Sequence, residues 1–302
     1  MLLAGTLGCG AADEPVPVLQ SSASPLPLFE PDSYEPPPVP RERMKTLVTY
    51  DGDRPLRVTS RMTTTERKSG VAITDMTFDN GLGGRVEAYL VMPVSAGGQK
   101  LAGVVFAHGS GRDRSRFLDE AKLLATRGAV VLLPTVPMNL TADAAADVAY
   151  VRQAVLTERR AVDVLVARGN VDRNRLGFVG HSWGGVLAGI MSGAEPRLAA
   201  VVVASFTKRL TRYQGGPTQY FDQLTVFDQH RWLAMPGKRQ VLLQAGANDQ
   251  WHPGQATDEL FASIAGQKKR TDYPLGHDLV EPAEPVNDRR EFLARVLHLT
   301  GD

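Results

Sequence analysis

The hexapeptide Gly180-His181-Ser182-Trp183-Gly184-Gly185 restricts this 302-residue chain more than any other stretch, because it lies between the apolar run Leu176 to Val179 and a helical pattern. A strand that turns into a helix with glycine on both sides of a serine implies a turn too tight for side chains at Gly180 and Gly184, which pushes Ser182 toward solvent. Ser182 is then strained, exposed and at a helix N-terminus. Free N–H groups and the helix dipole stabilise negative charge there, and the Trp183 N–H is one such donor.

The surroundings of the turn follow the same logic. Runs apolar on both faces, Leu101 to Ala107, Ala129 to Leu133, Arg175 to Val179, Leu198 to Ala204 and Gln240 to Ala245, alternate with amphipathic stretches. Those stretches are Arg116 to Arg127, Ala142 to Arg168, Gly184 to Ser192, Gly254 to Ala265 and Pro285 to Leu299. The alternation predicts an α/β fold whose parallel sheet is covered on both sides, with a short strand, Lys268 to Thr271, at its far edge. Right-handed crossovers make it a doubly wound, mostly parallel sheet with ligands at the carboxyl ends of its strands. Met44 to Pro93 reads differently, as short alternating stretches such as Val71 to Thr74 and Arg85 to Leu90. Between these lies Asp79-Asn80-Gly81-Leu82-Gly83-Gly84, which suits a hairpin turn, so antiparallel strands should open the sheet. The same glycines make a poor phosphate cradle, since no helix opens after them. Ser205 to Gly237 is too long for an ordinary crossover and carries Phe206, Tyr213, Tyr220, Phe221, Phe227 and Trp232. Either it folds over the site as a partial cap, or its rings pack it onto the body.

A serine alone is a poor nucleophile and needs a base oriented by a carboxylate. Of the histidines after Ser182, His277 sits in a loop between the last edge strand and the last helix, with His252 as the alternative; His230 lies in the aromatic excursion and His298 on the closing helix. Asp249 ends the strand from Gln240 in the Gly-containing turn Gly246-Ala247-Asn248-Asp249, whereas Asp258 lies on the following helix and Asp272 too near His277. The second donor for a developing oxyanion should come from Ala107-His108-Gly109-Ser110-Gly111, as the N–H of Ser110 or of its neighbour Gly111. His108 should brace that loop. Trp183 and Trp251 suggest an aromatic-walled substrate cleft, or else structural packing.

Val171 to Gly185, with Asp249 and His277 following in that order, resembles the strand and elbow of α/β-hydrolases, particularly the branch of dienelactone hydrolase-like and prolyl-oligopeptidase-like enzymes. The resemblance extends from about Val71 to Leu299. It implies the α/β-hydrolase fold, a triad of Ser182, Asp249 and His277, two-step acyl transfer and no metal or organic cofactor. Ser182 stands where dienelactone hydrolases proper carry cysteine, which favours ordinary ester hydrolysis on a small-molecule or polymeric ester. The rival readings are amide hydrolysis or acyl transfer on the same fold, and a non-catalytic surface binding protein.

Composition limits the partners. Lys plus Arg number 34 against 33 Asp plus Glu, and no block of one charge points to nucleic acid. With 43% hydrophobic residues, 44–302 can form one catalytic domain. There is one cysteine, Cys9, so the fold has no internal disulfide and no thiolate cluster for a metal. Cys9 closes the short apolar run Leu2 to Gly8, which resembles the end of a lipoprotein signal, although no Lys or Arg precedes it. Lipidation of Cys9 would make residues 1–43 a signal and Pro-rich tether on the envelope membrane of an exporting bacterium; the other reading is a disordered leader on a cytoplasmic protein. After Leu7 no run is long and apolar enough to span a bilayer.

Overall fold

The computed structural model describes residues 37–95, 98–141, 143–206, 218–251 and 254–300. The expectations placed on Cys9 and the leader up to residue 36, on Tyr213 and on His252 lie outside these residues.

A short helix α1 (Arg41–Leu47) precedes three strands, β1 (Thr59–Glu66), β2 (Val71–Asp79) and β3 (Arg85–Pro93). The α/β part follows as β4 (Leu101–Ala107), α2 (Leu118–Thr126), β5 (Ala129–Pro134), α3 (Ala144–Val166), β6 (Val171–His181), α4 (Trp183–Ala194) and β7 (Leu198–Ala204). It closes with α5 (Thr218–Leu224), α6 (Gln229–Leu233), β8 (Gln240–Gly246), α7 (Gly254–Ser263), β9 (Lys268–Tyr273) and α8 (Ala283–Leu297).

All nine strands form one sheet in the order β1-β2-β3-β5-β4-β6-β7-β8-β9. The first three are antiparallel, and β3 joins β5 antiparallel too; from β5 to β9 the pairing is parallel throughout. The β2–β3 hairpin runs in unbroken register from Val71↔Pro93 to Asp79↔Arg85. At its turn the Asn80 carboxamide oxygen accepts the N–H groups of Leu82 and Gly84, while Gly81 and Gly83 take positive φ.

Because side chains alternate along a strand, the runs apolar on both faces feed two cores. Val105, Phe178, Val201 and Leu243 join α3, α4, α6 and α7 on one side. Val104, Val179, Val202 and Leu242 join α2 and α8 on the other. Gly103 leaves room for the side chains of β6 and α3, since a methyl group there would fall 2.9 Å from Leu176 and 3.3 Å from Leu165. The Asp143 carboxylate caps α3 by accepting the Ala146 N–H, which satisfies one of its free donors.

Several boundaries differ from expectation. The strand before the serine begins at Val171 rather than Arg175: Val171 is buried and pairs with Leu101, and the polar Asp172-Arg173-Asn174 disguises the continuity. Helix α1 begins at Arg41, within the stretch 1–43 expected to be leader and tether, and is anchored by the buried Met44. Strand β1 is exposed along almost its whole length and so carries no alternation to read. In the described part of the long excursion, Phe206, Tyr220, Phe227 and Trp232 are buried in the main core, and the Tyr220 hydroxyl donates to Asp147. Those rings hold the excursion to the body.

Candidate active site

Three loops at the carboxyl ends of β6, β8 and β9 meet at one point. Ser182 leaves β6 with φ 57° and ψ −117°, a conformation in which a residue with a Cβ is strained, and is held by its N–H to the Ala204 carbonyl. The tightness of the turn is measurable. A methyl group on Gly180 would lie 1.8 Å from the Gly184 carbonyl oxygen, and one on Gly184 would lie 2.0 Å from that of Ala107.

His277 Nε2 lies 2.9 Å from Ser182 Oγ, and His277 Nδ1 lies 2.8 Å from Asp249 Oδ2. The other Asp249 oxygen accepts the Trp251 N–H at 2.9 Å, so both carboxylate oxygens are engaged and the group is fixed in its plane. Asp249 is buried while the His277 side chain keeps 29% of its surface in solvent, enough for water or substrate to reach the imidazole. This is the chain of contacts a serine needs for activation: acceptor nitrogen on the hydroxyl, carboxylate on the opposite ring nitrogen.

The loop after β4 stands against Ser182. A methyl group on Gly109 would approach Ser182 Cβ to 3.2 Å, so only glycine leaves the main chain this close. His108 braces the loop as expected: its Nε2 accepts the Val136 N–H at 3.0 Å, which leaves Nδ1–H to donate to the Gly109 carbonyl at 2.8 Å. Burial holds the His108 imidazole below its usual pKa, against the opposing effect of the Gly109 carbonyl, so it stays neutral. Ser110 is exposed at the tip of this loop. Trp183 opens α4, where its N–H has no acceptor within the helix.

The expectation of two tryptophan walls requires a correction. The Trp183 ring is 1% exposed and its indole N–H donates to the Val136 carbonyl at 3.2 Å, so it packs in the core and offers no surface to a substrate. Trp251, two residues past Asp249, is 42% exposed.

Other residues at the site were not found from sequence. The His181 imidazole Nε2 meets the His277 carbonyl at 2.8 Å. A methyl group on Gly246 would fall 2.1 Å from the Gly276 carbonyl oxygen, so the acid and base loops pass main chain against main chain. Arg116 pairs with Asp278 and Glu281 on the base loop. Burial pushes the Asp278 carboxyl up, but the Val280 N–H and Arg116 outweigh it and hold the group below its usual range. The buried Arg289 is bidentate to the buried Glu120 and donates to the Leu279 and Val280 carbonyls just past His277.

A cleft of about 740 Å³ lies between the segment after β4 and the start of the segment that leads into α8, lined by Arg112, Asp113, Ser115, Arg116 and Glu281 among others. None of Ser182, Asp249 or His277 lines it. Among the described residues no three of His, Cys, Asp and Glu gather as metal ligands, and no helix is long and apolar enough to cross a membrane.

The fold is similar to that of acetyl xylan esterase from Paenibacillus sp. R4, with a TM-score of 0.72 and 20% identity over 84% of this chain and 92% of that one. Acetyl xylan esterase 1 from Thermoanaerobacterium sp. JW/SL YS485 gives 0.71 and 19% over 86% and 95%. In sequence, 153 residues are 29% identical to a protein of Arabidopsis thaliana named as a probable glutamyl endopeptidase, chloroplastic, covering 47% of this chain. The chain spans only 16% of the length of that relative. Residues 104–301, which carry the serine turn, both partner loops and all but one strand of the parallel half of the sheet in full, match the model of the alpha/beta hydrolase family, and the chain belongs to that family.

Proposed function

We propose that this protein is a serine hydrolase that cleaves carboxylic esters through an acyl-enzyme. The observation that carries the proposal is the unbroken contact from Ser182 Oγ through His277 to Asp249, at 2.9 and 2.8 Å, on a strained turn at a helix N-terminus.

In this reading His277 Nε2 takes the Ser182 proton as Oγ attacks the ester carbonyl. Asp249 keeps the proton on Nδ1 and stabilises the imidazolium that forms. The carbonyl oxygen, now negative, is met by the Trp183 N–H and by a second N–H from the loop after β4, that of Ser110. His277 then gives its proton to the departing alcohol, the ester bond breaks, and an acyl group remains on Ser182. Water enters, His277 accepts its proton, and the acid leaves as Oγ is reprotonated. The partly exposed imidazole suits the water-dependent second step. Each donor contributes about 3 kcal/mol to the transition state in sites of this kind.

Likeness of fold to two acetyl xylan esterases supports ester over amide substrates. The stretch similar to a plant endopeptidase favours a second reading, amide hydrolysis on the same residues. Matched substrates separate the two: an aryl acetate series beside the corresponding anilides and a peptide anilide, with Ser182→Ala as the blank. Ester turnover abolished by the substitution, with anilide turnover lower by about a hundredfold or more, supports the esterase reading; comparable anilide turnover replaces it with an amidase.

A further inference from the structure

We infer that His181 is a positioning residue for the base: its imidazole fixes the main chain of His277 and thereby sets the reach of His277 Nε2 to Ser182 Oγ. The inference rests on the serine hydrolase reading and assigns a task to a residue the triad mechanism leaves idle.

His181 is the last residue of β6, one position before Ser182, and is 7% exposed. Its Nε2 stands 2.8 Å from the His277 carbonyl oxygen. A carbonyl only accepts, so Nε2 carries the proton and donates. The serine turn and the base are thus joined twice, by the reacting contact between Ser182 and His277 and by a second bond from the residue before Ser182 to the main-chain carbonyl of His277 itself. The rest of the base loop is held elsewhere: Leu275 by the Asn248 N–H, Leu279 and Val280 by Arg289. The His181 bond ties the main chain of His277 to the strand that leads into the serine.

The chemistry of the site requires this donor to be neutral. The two rings are 5.0 Å apart between centroids, and a cation at His181 would oppose the positive charge His277 takes up with the serine proton. Burial supplies the neutrality, pushing the His181 imidazole down to about 4 against the bond to the His277 carbonyl, which favours charge. A neutral amide of the right length would serve equally well. Glutamine places its terminal nitrogen at about the reach of histidine Nε2, asparagine falls one bond short, and leucine has no donor.

The test is steady-state ester hydrolysis and the rate of fluorophosphonate modification for wild type, H181L, H181N and H181Q, each checked for an unchanged melting temperature. Displacing a reacting group by about 1 Å can lower turnover by about a hundredfold, so H181L and H181N should lose about 10- to 100-fold in kcat. KM should stay within about twofold, because substrate contacts are untouched. H181Q should recover most of kcat and most of the labelling rate. If H181L does not fold, H181Q against H181N carries the comparison. Wild-type kcat in H181L, or H181Q no better than H181N, overturns the inference while leaving Ser182 as nucleophile. Failure of wild type itself to be modified at Ser182 overturns the hydrolase reading on which it rests.

Discussion

Replacing Arg289 by methionine removes the cation at the centre of the polar network beneath the base loop. Arg289 and Glu120 are 1% and 5% exposed, so the pair lies outside the reach of bulk screening. The guanidinium meets both Glu120 oxygens, at 2.8 Å from Nε and 2.5 Å from a terminal nitrogen, and donates to the Leu279 carbonyl at 2.6 Å. Removing one member of such a pair leaves a buried charge without its partner and costs about 3–5 kcal/mol. Each of the two carbonyls left without a donor adds about 1 kcal/mol, which brings the total to about 5–7 kcal/mol, comparable to the whole stability of many domains. Urea unfolding at pH 7 should show that loss as a lowered midpoint with an unchanged slope. The double variant Glu120→Leu with Arg289→Met takes away both charges and should recover at least half of it, a coupling of about 2 kcal/mol or more. Its kcat should stay low even so, because the carbonyls after His277 are still unheld. A cost below about 1 kcal/mol for Arg289→Met, or a double variant as unstable as the sum of the singles, refutes the role given to this pair.

Glu158 is fully buried on α3, burial pushes its carboxyl well above the ordinary range, and neither carboxyl oxygen has a hydrogen-bond partner among the described residues. The raised folded value means that its contribution to stability is intact below the unfolded pKa and is lost as pH rises, at about 1.4 kcal/mol per pH unit between the two values. Glu158→Gln should therefore gain on wild type from pH 5 to pH 8 in denaturant midpoint, and a pH-independent difference would contradict this. Trp183→Ala should cost about 3–5 kcal/mol by emptying a core position, with little change in the preference between acetate and bulky esters. Trp251→Ala should do the reverse, losing turnover of bulky aryl esters while stability stays within about 0.5 kcal/mol; equal losses on both ester classes would remove Trp251 from the substrate surface.

Much of this architecture was legible because β4 to β8 are apolar on both faces, a pattern that only a covered parallel sheet explains. The elbow was legible because sterics leave glycine alone at Gly180 and Gly184. Asp249 and His277 could be chosen by their place in the strand and loop order, and the structure brings His277 within hydrogen-bond distance of both Asp249 and Ser182. What escaped had no periodic signal. Strand β1 is polar on both faces, and α1 depends on the single anchor Met44. His181 and Arg289 act through main-chain carbonyls, whose positions no side-chain pattern records. Trp183 was misread because a ring beside a nucleophile can turn either way, and its orientation follows from the helix that begins at that residue and directs its indole to the Val136 carbonyl.

Activation of Ser182 by His277 and Asp249 can be read with a fluorophosphonate probe applied to the purified protein, followed by mass spectrometry of the modified peptide. Modification should fall at Ser182 alone, be absent in Ser182→Ala and be slowed by about a thousandfold or more in His277→Ala. Well-folded wild type that resists the probe, or that is modified at the same rate without His277, would contradict it.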